Sequence, residues 1–301
     1  MSPRALLLAL LSACPIPAAA QDTPAAGEWA RYRLEGPAPW RYARALEEAG
    51  YRVVLSSPDG RALEARVEVS AAPLLSDAPF PASPATLSLE ARAALADPLA
   101  DDADLDALSG KLLASAKTTL EAVERVVAFT AHRIRYALPD GSPETATLTL
   151  RARRGSCVGR SLLAAELLLR AGIPARQVTG VLAARRAREL TPESRAVFNT
   201  DLGGVRHRWI EVYVPGVGWV PSDPSGLANT VTAKHLALEK QPPAGFRVDV
   251  AGRSAELKRP VLETQEGGLT LYRPRGASVE EAVEGAPLDP RALAAPTPAR
   301  R

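Results

Sequence analysis

Cysteine is nearly absent from this chain: two occur in 301 residues, Cys14 and Cys157. Two cysteines cannot build a disulfide-stapled scaffold, so the fold has to rest on an apolar core. Histidine is also scarce, at three residues, and neither residue type clusters with the spacing of a zinc site. A Gly-rich phosphate loop and EF-hand spacing are missing as well, so the sequence implies no metal and no cofactor. Charge is nearly balanced, with Lys+Arg 37 against Asp+Glu 34 and a formal net charge of +3. A surplus that small, spread along the chain, gives no reason to expect nucleic acid as a partner. The N-terminal apolar run, residues 5–13, is too short to span a bilayer.

That run reads instead as part of an export signal. Arg4 makes a short basic start and Ala18-Ala19-Ala20 fits a small-residue cleavage site, which makes residues 1–20 a signal peptide. A competing reading takes Leu11-Ser12-Ala13-Cys14 as a lipobox, with Cys14 lipidated and anchoring the chain to a membrane. Both place the protein outside the cytoplasm, in the periplasm or cell envelope. Both also consume Cys14, so the mature chain keeps one thiol, Cys157, in an oxidising compartment where an unpaired thiol is a liability without a job.

With 46% hydrophobic and 24% charged residues the chain is globular, sized for one main domain with additions. Its 27 prolines exceed the usual share of about 5% and imply many loops. Residues 21–103 read as a small N-terminal α+β lobe and linker, 104–240 as the main domain, and 241–301 as a C-terminal extension, disordered from about 285. In the lobe, residues 41–50 suggest a short helix, and 51–55 and 63–69 two strands around a turn. Further on, Thr118 with Glu121 forms a capping box for a helix whose buried stripe is Val123, Val126, Val127, Thr130 and Ile134. His132 lies off that stripe, as a surface residue. Residues 145–150 look strand-like, 176–182 a strand, 185–200 a charged loop, and 206–214 with 219–223 a hairpin in which Gly218 takes positive φ. Weaker strand signals fall at 246–250 and 269–272.

The stretch 153–174, RRGSCVGRSLLAAELLLRAGIP, organises the main domain. Ser156 can cap a helix that runs through the apolar segment 162–169 and stops at Gly172 before Pro174. Cys157 therefore sits in the first turn, where the helix dipole and the neighbouring Arg153, Arg154 and Arg160 favour thiolate over thiol. A nucleophilic thiol needs a base, and the base needs a group to orient it. His207 opens the strand HRWIEVYVPGVGW and Asp223 ends its partner WVPSDPSG, so helix, strand and adjacent strand each carry one member. Trp209 and Trp219, in the same hairpin, are candidates for walling a substrate cleft. A turn centred on Val217 pairs Asp223 with Glu211, about 13 Å from His207 at strand rise. Bringing the two together requires a bulge or shifted register, for which Pro221 is the natural place. For the oxyanion, the backbone N–H of Cys157 is one candidate donor and Tyr136 a second.

Over about residues 120–238 the chain resembles the core of the transglutaminase-like superfamily, in its bacterial secreted branch. The motifs are GSC before a helix ending RAGIPAR, then HRWIEVYVPGVGW and SDPS. The resemblance implies a papain-like α+β fold, with the nucleophile helix packed on an antiparallel sheet, and a triad at Cys157, His207 and Asp223. It further implies acyl transfer through a thioester to water or an amine, on a protein or peptide substrate, many bacterial relatives acting as peptidases or amidases. The other reading is a non-catalytic envelope scaffold that keeps the fold and binds a partner through its N-terminal lobe.

Overall fold

The computed structural model describes residues 27–58, 62–138, 140–184, 195–257, 263–265 and 268–270. The expected signal segment 1–20, the tail from 285 and most of the 185–200 loop lie outside them.

The N-terminal lobe is built on β1 (Gly27–Glu35), β2 (Leu46–Glu48), β3 (Tyr51–Ser56) and β4 (Leu63–Ser70). β1 alternates strictly, burying Glu28, Ala30, Tyr32 and Leu34 and turning Arg31 and Arg33 to solvent, as a strand with one covered face must. Residues 41–50 are not the helix that their Ala, Glu and Arg content suggests. A single 3-10 turn at Pro39–Arg41 is followed by β2, which folds back on β3 through Ala49 and Gly50, with Glu48 opposite Tyr51. Gly50 has φ +74°, a tight-turn conformation that strand pairing exploits and helix propensity does not foresee.

Helices α1 (Leu89–Ala96), α2 (Ala103–Leu113) and α3 (Thr119–Arg133) follow. Thr118 accepts from the Glu121 N–H at 3.2 Å, so the N-cap forms as expected, while the Glu121 carboxylate reaches one residue past the cap and accepts from the Lys117 N–H at 2.8 Å. Next come β5 (Arg135–Tyr136), α4 (Ala146–Ala152), β6 (Arg154–Gly155) and α5 (Cys157–Arg170). The expected strand at 145–150 is thus helix α4. Thr145 caps it by accepting from the Leu148 N–H, and its buried residues, Ala146 and Thr149, are one helical turn apart. Its alternation of Thr and Leu imitates a strand, but the burial follows the helical period.

The main sheet comprises β7 (Ala175–Ala183), β8 (Gly204–Val214), β9 (Gly218–Ser222) and β10 (His235–Leu238), all antiparallel in the order β10-β7-β8-β9. After it, β11 (Arg247–Arg253) pairs with β1 and completes a lobe sheet of order β11-β1-β4-β3-β2. The first strand of the C-terminal extension therefore belongs to the N-terminal lobe's sheet. Two short strands, β12 (Glu263–Gln265) and β13 (Gly268–Thr270), pair with each other.

The result is three layers. One face of the main sheet packs on α2, α3 and α5 through Val123, Val126, Leu163, Leu167, Ile210 and Val212. The other packs on the lobe sheet through Val178, Val181, Trp209 and Leu236 against Tyr32, Leu34, Tyr51 and Val67. Each fully buried Leu or Ile of this kind contributes about 1.5–3 kcal/mol. The main sheet is therefore held on both faces, a rigid support for whatever its strands carry. No helix among the described residues is long and apolar enough to cross a membrane.

Candidate active site

Cys157 is the first residue of α5 and is 9% exposed. Ser156 caps the helix, its hydroxyl accepting from the Val158 N–H at 3.1 Å. That hydroxyl also donates to the Glu144 carboxylate at 2.5 Å, and the Ser156 N–H donates to the other Glu144 oxygen at 2.6 Å. Glu144 thus clamps the helix start from the loop before α4, a role that only the packing of α4 on α5 reveals. The approach is close: a Cβ on Gly159 would lie 2.6 Å from Thr149 Oγ1 and 2.8 Å from Glu144 Oε1. From the other side, the Ser161 hydroxyl donates to the Arg208 carbonyl at 3.0 Å and ties the second turn of α5 to β8.

His207 stands on β8 opposite Gly180 of β7. A Cβ on Gly180 would come within 2.4 Å of the Trp209 ring and 2.3 Å of the Leu236 carbonyl, so glycine there lets β10 and the Trp209 indole close over the strand. On one side the imidazole neighbours Cys157, closely enough for each group to shift the ionisation of the other. On the other, Nε2 lies 2.8 Å from Asp223 Oδ2. All three residues are buried.

Asp223 reaches that position because the hairpin register differs from the one expected. Val214 pairs with Gly218 and Ile210 with Ser222, closing a three-residue loop in which Gly216 has φ +77°, with Gly218 at φ +104°. Continuing this register brings Asp223 level with Trp209 rather than Glu211. The ladder runs regularly through Glu211 and Pro221, so a shift at the turn, not a bulge at Pro221, joins the two halves of the site. Asp223 then divides its oxygens. Oδ1 accepts from the Ser225 N–H at 2.9 Å and fixes the turn, while Oδ2 serves the histidines.

The second histidine, His235 of β10, was not singled out by sequence. It carries no motif of its own, and only the β10–β7 pairing brings it to Asp223, with Nε2 at 3.1 Å from the same Oδ2. Its Nδ1 faces the Thr232 N–H at 3.2 Å, the Thr232 hydroxyl at 3.0 Å and, farther off, the Thr232 carbonyl at 3.3 Å. Burial, which outweighs the pull of Asp223, together with the charge on His207, lowers its pKa. That shift favours the neutral ring, and the tautomer that suits a Thr232 N–H donor at Nδ1 and a carboxylate acceptor at Nε2 carries its proton on Nε2.

Burial opposes ionisation of Cys157, yet the hydrogen bond and charge of His207, with the Arg208 N–H, hold the thiol below its ordinary value of 9.0. Burial likewise opposes a charged His207, but the Asp223 carboxylate, then Cys157, push it up to about 10. For Asp223, burial is overcome by His207 and His235, which keep the carboxyl well below the usual range. The balance favours a thiolate and imidazolium pair backed by a carboxylate.

Tyr136 joins the site as well. β5 pairs in parallel with β6, setting Tyr136 beside Gly155. Burial, then the charge of Cys157, raises its hydroxyl to about 12, so it remains a protonated donor near the sulfur. Arg160 holds the ring, its guanidinium 5.4 Å from the ring centroid. As the first helical residue, Cys157 has no intrahelical acceptor for its own N–H.

The two tryptophans do not wall a cleft. Trp209 is 0% exposed, stacked on His207 at 6.1 Å between centroids and edge-on to His235 at 5.3 Å, inside the inter-sheet core. Trp219 pairs with Tyr213, about 20 Å along β8 from His207 at strand rise. There the Arg176 guanidinium lies 4.0 Å over its ring and Nε1 donates to Glu90 at 3.1 Å. Strand alternation placed one in the core and the turn carried the other to the far end. His132, half-buried in the last turn of α3, is not among the residues gathered at the site.

Among the described residues, His207, Asp223 and His235 bring ligand-type atoms within 4.8 Å of one another. Metal binding requires a lone pair on each nitrogen. Here each Nε2 instead lies at hydrogen-bond distance from the same Asp223 oxygen, 2.8 Å for His207 and 3.1 Å for His235.

Residues 106–224 match the family model described as transglutaminase-like superfamily. No curated protein matches the chain significantly. Among solved structures, a Cytophaga hutchinsonii protein assigned as a cysteine protease is 14% identical, covering 78% of this chain and 90% of that one, with a TM-score of 0.43. The periplasmic domain of TgpA from Pseudomonas aeruginosa is 20% identical over 65% of this chain and 69% of that one, with a TM-score of 0.43. Red sea bream transglutaminase is 13% identical over 66% of this chain and 46% of that one, with a TM-score of 0.27.

Proposed function

We propose, from the match of residues 106–224 to the transglutaminase-like family model and from the site geometry, that the chain is a cysteine-dependent acyl-transfer enzyme acting on amide or peptide bonds, exported to the periplasm or cell envelope. The observation that supports this reading is the His207 and Asp223 pair, 2.8 Å apart and buried on a doubly covered sheet, gathered beside a buried cysteine at a helix start.

In this mechanism the Cys157 thiolate attacks the amide carbonyl, and the negative charge that develops on oxygen is met by the Cys157 N–H and the Tyr136 hydroxyl. Imidazolium His207 gives its proton to the departing amine as the C–N bond breaks, leaving a thioester on Cys157 and a neutral imidazole. Water or a primary amine then attacks the thioester while His207 takes its proton, and expulsion of the thiolate restores the starting pair. Asp223 keeps the ring oriented and supports its charge throughout.

The test is turnover of a peptide library with and without an added primary amine, alongside iodoacetamide labelling near pH 6. The expected result is rapid labelling of Cys157, and activity lost in Cys157→Ala with the fold retained, since alanine removes a single atom from a helix start that Ser156 and Glu144 hold. Labelling no faster than that of a free cysteine would favour the non-catalytic scaffold. An active alanine variant would remove the nucleophile assignment.

A further inference from the structure

We propose that His235 is a positioning residue for the reaction, a second histidine that holds Asp223 in register with His207 by donating from Nε2 to the same carboxylate oxygen. This rests on the reading of Cys157, His207 and Asp223 as a triad and adds a fourth member to it.

The geometry leaves His235 one purpose. Its side chain is 2% exposed, so it meets neither solvent nor substrate. Both ring nitrogens are engaged, Nε2 with Asp223 Oδ2 at 3.1 Å and Nδ1 with Thr232. Asp223 is otherwise tethered at Oδ1 alone, by the Ser225 N–H. Without a second donor at Oδ2, the carboxylate is free to turn about that tether and swing away from His207. It would also be a buried carboxylate with one partner fewer, more ready to take the proton from the imidazolium. A single indole, Trp209, touches both rings and keeps their planes 60° apart, so both can reach one oxygen without stacking on each other.

The lobe sheet supplies the backing. The Tyr51 hydroxyl donates to the His235 carbonyl at 2.6 Å and accepts from the Ala237 N–H at 3.3 Å. The Tyr32 hydroxyl donates to the Ala233 carbonyl at 2.6 Å, and Glu28 accepts from the Ala233 N–H at 3.2 Å. Three side chains from β1 and β3 therefore grip the backbone of and before β10, on the strand that carries His235. The lobe is in this way part of the catalytic scaffold. The titratable groups that face the cluster are Cys157 from α5, His207 from β8, Asp223 after β9 and Tyr136 from β5.

Two substitutions separate the bond to Asp223 from the bond to Thr232. In His235→Gln the side-chain amide nitrogen stands where Nε2 stood and can still donate to Asp223. In His235→Asn the side-chain oxygen stands where Nδ1 stood and keeps Thr232, but nothing reaches Asp223. Iodoacetamide alkylation of Cys157 is followed against pH, with melting temperature recorded for each protein. The expected result is a wild-type profile for the glutamine variant and, for the asparagine variant, an acid limb raised by about one pH unit, equal to about tenfold less thiolate at a given pH below it. Equal profiles in all three proteins, or equal displacement in both variants, overturn the proposal while leaving the triad in place. If the wild type itself titrates as an ordinary thiol, the triad reading has failed instead. Should the asparagine variant not fold, 15N NMR of the wild-type imidazoles decides: a neutral His235 protonated on Nε2 is expected, and a proton on Nδ1 overturns the proposal.

Discussion

At the scale of single residues, Asp223 does two jobs with two oxygens, and that makes its replacement informative. Oδ1 holds the turn through the Ser225 N–H, and asparagine can keep that bond with its remaining oxygen. Its amide nitrogen would then face two Nε2–H donors, His207 and His235, and could accept from neither. Asp223→Asn is accordingly expected to fold normally and to lower turnover by up to about 10⁴, with Cys157 still alkylatable but at a raised pKa. A silent asparagine variant would mean that the carboxylate only shapes the turn. The wild-type pH profile follows from the same pair. Activity should appear as Cys157 ionises, below the ordinary thiol value of 9.0, and disappear as His207 loses its proton near 10. A pH–rate profile in which the acid limb lies at or above the free thiol value would contradict the ion pair.

At the scale of elements, α5 is the piece on which the site depends, and its start is fixed by interactions that a helix reading does not contain. Ser156 was legible as a cap, but Glu144 and the close approach of α4 were not, because the segment 145–150 alternates like a strand and was expected to be one. Gly155 and Gly159 both admit α4, and Gly159 is the closer of the two. Gly159→Ala should force Thr149 and Glu144 apart, since its new methyl group would sit under 3.0 Å from both. The expected outcome is a melting temperature lowered by an amount matching about 1–3 kcal/mol, with slower labelling of Cys157. An alanine variant as stable and as reactive as the wild type would show that α4 moves aside at no cost.

The whole molecule adds a layer that the triad alone does not need. Where β2 of the lobe meets the main sheet, Glu48 lies against Glu211, which is 0% exposed and bound by Arg176 at 2.6 Å and Arg44 at 3.3 Å. Burial first, then the charge of Glu211, pushes the Glu48 carboxyl from 4.5 up to about 9, against Arg44 and Arg176. Folding therefore takes up a proton there. Its favourable contribution is present in full below about 4.5 and is lost as pH rises toward about 9. Glu48→Gln, neutral at every pH, should raise the melting temperature at pH 8 and flatten its dependence on pH between those limits. Thermal melts across that range check this, and a variant less stable than wild type at pH 8 would show that the ionised form is the one the fold holds. In the same layer the C-terminal strand β11 closes the lobe sheet against β1, so the lobe that grips His235 draws on both ends of the described chain.

The sequence by itself determined the parts whose signals are local. The Ser156 cap and the stop at Gly172 and Pro174 define α5, the Thr118 and Glu121 pair opens α3, and strand alternation with a glycine turn draws the β8–β9 hairpin. Local chemistry also marked Cys157, and the scarcity of histidine narrowed the choice of its partner, because a thiol in a helix's first turn and a histidine opening a strand are readable without coordinates. What only the tertiary structure decided are the matters that depend on register and on which faces meet. A slip of the turn by one position moved Asp223 from Glu211 to the level of Trp209 and into reach of His207. The β10–β7 pairing brought His235 to the same carboxylate, the α4–α5 approach brought Glu144 to Ser156, and the second sheet took Trp209 into the core. The physical reason is that side-chain alternation and capping act over a few residues, whereas strand pairing and layer packing join segments far apart in the chain, through backbone bonds and apolar contacts that many sequences would satisfy equally well.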